Sequence, residues 1–122
     1  MSNVRHLVVT EIKSTSPDGR FQVRVEAWEA RNSLWIESPA IYNARSEEVI
    51  LKFQSEMWSL DRAEWKTGEV VCLTLRKYPG NHTPIQLMAA VDCERKTAEL
   101  GPLPAFSLAE LERLLESQLT WK

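Results

Sequence analysis

Between Phe21 and Trp28 the sequence alternates strictly, with Phe21, Val23, Val25 and Ala27 set against Gln22, Arg24, Glu26 and Trp28. A period of two belongs to a β-strand with one face on a core and the other toward solvent. The pattern returns in Val49, Leu51 and Phe53, in Val71, Leu73 and Leu75, and in Ile85, Leu87, Ala89 and Val91. Half-buried strands of this kind pair antiparallel. The β-branched run Val4–Ser14 and the extended run Leu34–Tyr42 add two more, so about six strands are expected over residues 4–93.

The connections carry their own chemistry. Ser16-Pro17-Asp18-Gly19 is a turn, because proline presets one dihedral and glycine accepts a positive φ, and it closes the first hairpin. Pro79-Gly80-Asn81 is read in the same way, and pairing Leu75 with Ile85 and Leu73 with Leu87 keeps the apolar faces together. That register puts Cys93 on the face opposite to Cys72. Pro39 cannot donate to a ladder and predicts a bulge, a bend or an edge within its strand. Met57–Trp65 does not alternate, which predicts a single helical turn or a tight corner with Trp58 and Trp65 at its ends.

Residues 97–106 contain Gly101, Pro102 and Pro104 and are expected to form a stiff connector. Ser107-Leu-Ala-Glu110 then has the form of a capping box. Behind it Leu108, Leu111, Leu114, Leu115 and Leu119 fall on one stripe, predicting a helix over about 108–119 that packs on one face of the sheet. The expected fold class is α+β: an antiparallel β-meander of about six strands with a C-terminal helix, in a single domain spanning 1–122. A chain of 122 residues buries enough surface to need neither a disulfide nor a metal staple.

Composition narrows the function classes. A net charge of −2 gives no nucleic-acid footprint, and no segment approaches the roughly 18 apolar residues that span a bilayer. The start of the chain has no leader pattern, so a cytoplasmic location is expected. No Gly-rich phosphate loop is present, so no cofactor is expected. His6, His82, Cys72 and Cys93 are too scattered for a metal site, and the two cysteines are read as free thiols. A catalytic alternative would use His82 as acid or base with Asp61 or Glu64 brought beside it. The opposing reading is a turn histidine with no catalytic role. A third alternative is a self-assembling scaffold, a homodimer rather than a monomer.

Binding signals are stronger. Residues 26–69 hold nine acids against five bases, a local charge of −4 that suits a basic partner. Trp28 falls on the polar face of its strand, opposite Val23 and Val25. Together with Trp35 it forms a candidate aromatic patch, flanked by Glu26, Glu29 and Arg31, unless the chain's own loops cover that face. Glu37, Glu47 and Glu48 complete the acidic candidates for partner binding.

The order Ser38-Pro39-Ala40-Ile41-Tyr42, a polar turn, Val49–Phe53, Trp58-Ser-Leu-Asp61, Trp65 and Leu73-Thr-Leu-Arg-Lys-Tyr-Pro-Gly-Asn-His82 resembles small bacterial immunity proteins of interbacterial toxin systems. The resemblance covers about Phe21 to Cys93 and carries over no catalytic residue. It implies a non-enzymatic cytoplasmic protein that binds and blocks one cognate protein toxin.

Overall fold

A computed structural model describes residues 9–31 and 34–122. Residues Val4–Val8 of the expected first strand, with His6, lie outside the described residues, as do Asn32 and Ser33. The chain is α+β, built of antiparallel strands with one C-terminal helix. Strands β1 (Val9–Thr15), β2 (Phe21–Glu29), β3 (Trp35–Asn43) and β4 (Val49–Lys52) form one sheet in that order. Next come β5 (Trp58–Trp65), β6 (Val70–Lys77), β7 (His82–Thr83), β8 (Leu87–Asp92), β9 (Thr97–Glu99) and β10 (Phe106–Ser107). All of these but β7 make a second sheet, ordered β10-β9-β8-β6-β5. The strands thus divide between these two sheets and a separate two-stranded ribbon that takes β7, instead of filling a single sheet.

Both sheets turn their alternating apolar faces onto one core. Val23, Val25, Ile41 and Leu51 come from the first sheet, and Leu60, Val71, Leu73, Leu75 and Val91 from the second. Each fully buried aliphatic side chain contributes about 1.5–3 kcal/mol relative to exposure. Pro39 is buried in β3 and pairs with Val25 on one side; on the other side β4 reaches only to Ala40, so no ladder partner goes without an N–H.

The segment expected to be a helical turn is a strand with one extra residue. Leu60 pairs with Leu75 and Arg62 with Thr74, which leaves Asp61 unpaired as a β-bulge. Trp58 and Leu60 are buried, and Ala63 and Trp65 pack on the core from odd-numbered positions. The bulge shifts the phase midway, so the alternation was there in two halves.

Two other expectations need correction. Leu75 pairs with Leu87 and Leu73 with Ala89, two residues beyond the expected register, because the chain first leaves the sheet to form β7. A slip of two keeps every side chain on its face, but Ile85 is left 66% exposed. Cys93 still lies on the core side and half-buried Cys72 on the outer face, both free thiols. Burial pushes the Cys93 thiol up to about 12, with the Asp92 carboxylate adding to it. Within the expected connector, β9 pairs with β8 and β10 with β9, and Ala98 and Leu100 are buried. Strands of two or three residues are too short to display a period.

Ser107 accepts a hydrogen bond from the Ala109 N–H at 3.3 Å, while Glu110 bonds Arg113 instead of completing the box. One 3₁₀ turn, Leu108–Glu110, leads into α1 (Leu111–Ser117). Leu111 and Leu115 enter the core, and Glu112 accepts the backbone N–H groups of Gln54 at 2.8 Å and Ser55 at 2.9 Å. The chain ends in β11 (Thr120–Trp121), paired with β7.

Arg20 fastens the first turn to the second sheet. Its guanidinium bonds Asp18 at 2.6 Å and reaches Glu69 at 3.1 Å and Glu94 at 3.2 Å, just before β6 and just after β8 at the end where Val70 pairs with Asp92. Asp18 also accepts from the Arg20 N–H and the Ser16 hydroxyl, and these donors, the Arg20 side chain foremost, hold its carboxyl at about 2 against an ordinary 3.8. A carboxyl lowered by folding stabilises above its unfolded value and loses that contribution as the pH falls through its folded one. The urea midpoint should therefore drop between about pH 4 and pH 2. Asp18→Asn should flatten part of this decline, and an unchanged slope would exclude Asp18 as a source.

Candidate functional site

The continuous β2–β3 register decides where the expected binding residues point. Trp28 lies opposite Ile36 and Glu26 opposite Ser38, on the outer face; Trp35 lies opposite Glu29, on the other face. The two tryptophans are therefore not one patch. Trp28 is half-buried, its indole N–H donating to the Ser38 hydroxyl at 3.1 Å, and that hydroxyl donates to the Glu56 carbonyl at 2.8 Å. The chain's own segment 53–56 thus reaches over the outer face. Trp35 is 51% exposed at the free end of the β2–β3 ribbon, beside exposed Leu34.

The acidic candidates separate by partner. Glu37 pairs with Lys13 at 2.9 Å, and its hydrogen bond is the chief cause holding the Lys13 ammonium above its ordinary value. Glu47 grips Arg24 through two contacts of 2.7 Å, which lower the Glu47 carboxyl and raise the Arg24 guanidinium. Glu48 pairs with Lys96 at 2.9 Å. Glu26, Glu29 and Arg31 are exposed, and Glu26 has no ion-pair partner among the described residues. Glu47 lies past the end of β3, roughly 26 Å along the strand from Trp35 at about 3.3 Å per residue. Glu26 and Glu29 stay near the ribbon's end; Glu47 and Glu48 belong to the opposite turn.

Two clefts flank the ribbon. One, of about 60 Å³, lies between Trp35 and Ile36 on one side and Tyr78 and Pro79 on the other. The second, of about 150 Å³, opens on the outer face of the first sheet. Small residues make its floor, Ser38 and Ala40, and the cross-strand neighbours of Ala40 are Arg24 and Lys52. The Arg24 guanidinium lies 4.3 Å over the Tyr42 ring, pinned by Glu47. The opposite wall is segment 53–56, held by Glu112 and Ser38. Sequence reading missed this cleft, although two small residues in a row of large ones on the outer face was its trace.

His82, Asp61 and Glu64 do not meet. His82 is 1% exposed, with Nδ1 2.7 Å from the Pro84 carbonyl, Nε2 2.9 Å from the Lys77 carbonyl, and its ring edge-on to Trp121 at 4.9 Å. Asp61, the bulge residue, binds Arg76 at 3.0 Å and Gln86 at 2.6 Å; Glu64 faces Lys66 at 3.3 Å. Both ring nitrogens are thus taken up within the turn 77–84, and the ring packs β7 against Trp121 of β11.

No family model, curated protein or solved structure matches this chain. Among the described residues, no three His, Cys, Asp or Glu side chains cluster as metal ligands. None of the described helices is long and apolar enough to cross a membrane.

Proposed function

We propose that this chain is a non-enzymatic protein-binding protein, an immunity-type inhibitor that acts in the cytoplasm by binding and blocking a cognate protein toxin. The observation that carries the binding reading is the free end of the β2–β3 ribbon, where half-exposed Trp35 and Leu34 stand beside the exposed carboxylate of Glu29. Binding energy concentrates in a few aromatic anchors, and surrounding charge of one sign speeds encounter with a partner of the other. The toxin as partner is supported by the resemblance in segment 21–93.

The test is co-expression with the product of the adjacent gene. The wild-type chain should be captured with that product and should rescue growth. Trp35→Ala should leave stability within about 0.5 kcal/mol and weaken capture by about 2 kcal/mol, roughly thirtyfold. Neither capture nor rescue by the wild-type chain would sink the reading.

A further inference from the structure

The cleft on the outer face of the first sheet has features that the ribbon's end does not share. Its volume, about 150 Å³, is that of one large side chain, far below a cofactor site. Its walls are fixed before anything binds. Arg24 is held by Glu47 and Tyr42 on one side, and the 53–56 segment is tied by its backbone to Glu112 on the other. A pre-ordered pocket spares its occupant the cost of ordering the walls.

Charge selects the occupant. Arg24 bonds Gln22 at 3.0 Å and Glu47 at 2.7 Å, so its guanidinium is turned along the strand away from Ser38 and is already neutralised. Glu26 lies across from Ser38 at the other end, exposed and without an ion-pair partner among the described residues. Lys52 lies beyond Ala40, diagonally opposite Glu26, so a second cation is disfavoured at that end. An aliphatic stem could lie on Ala40 between the β2 edge and segment 53–56, with a cationic head at Glu26.

We infer that this cleft is the receptor for a single arginine or lysine side chain of a protein partner. The inference rests on the protein-binding reading only for the source of that side chain, since the pocket can be probed without any partner.

The experiment is an amide NMR titration of the full chain with N-acetyl-L-argininamide. The Ala40, Gln54 and Ser55 amides should shift, with a Kd on the order of 1–10 mM for so small a ligand. Glu26→Gln should weaken binding about fivefold, the upper range for an exposed ion pair. Ala40→Leu should abolish it by filling the cleft. Because Ala40→Leu could also disturb the sheet, Glu26→Gln, a surface change, is the deciding variant. Absence of any shift, equal binding of N-acetyl-L-leucinamide, tighter binding of N-acetyl-L-glutamate, or no effect of Glu26→Gln would each overturn the inference. Toxin capture without probe binding removes the pocket and leaves the protein-binding reading; probe binding without capture does the reverse.

Discussion

Trp58→Ala should lower the free energy of unfolding by about 3–5 kcal/mol, read as a large fall in the urea midpoint. Trp58 is fully buried where β5 begins, with its ring 5.9 Å from Phe53 and the Lys77 ammonium 5.5 Å from its centre. A loss of that size is a large part of the 5–15 kcal/mol that typically holds a domain together. Trp58→Phe should be much milder than the lost volume suggests. The Trp58 indole N–H has no hydrogen-bond partner among the described residues, and leaving such a group buried costs about 1–3 kcal/mol. Phenylalanine removes that cost while keeping most of the apolar contact. Equal damage from both substitutions would show that the N–H is satisfied after all.

Trp58 also marks the border of what the sequence made legible. β2 and β6 were readable because each keeps one phase from end to end, Phe21 through Val25 and Val71 through Leu75, and the structure buries those residues. β5 carries the same physics but was hidden by Asp61, since one inserted residue inverts the phase and averages the pattern away. The β6–β8 register was right in face and wrong by two, because β7 draws its partner, β11, from the far end of the chain. The site was less legible than the fold. Trp28 and Trp35 are seven positions apart in sequence, and only the position of the intervening turn decides whether they share a face. The outer cleft depends on a carboxylate 57 and 58 residues away from the amides it holds, a relation that no local pattern encodes.

Leu111→Ala should cost about 2–5 kcal/mol, and it should also release the wall of that cleft. α1 has seven residues, too few to persist without tertiary contact, so its position is set by the two fully buried leucines, Leu111 and Leu115. Glu112 follows Leu111 directly and can reach the Gln54 and Ser55 amides only while the helix is docked; Glu116 likewise meets Lys77 from the same helix. Loosening the anchor should therefore accelerate hydrogen exchange at Gln54 and Ser55 well beyond that at Val23 or Leu73, which belong to the strand ladders. Glu112→Gln should accelerate the same two amides with a smaller loss of global stability, since one oxygen acceptor becomes a donor facing an N–H. If both substitutions act through one docking event, the double variant should lose less than the sum of the two. Strict additivity would mean that segment 53–56 is held independently of the helix, and the fixed wall on which the cleft's selectivity depends would then have to come from Ser38 alone.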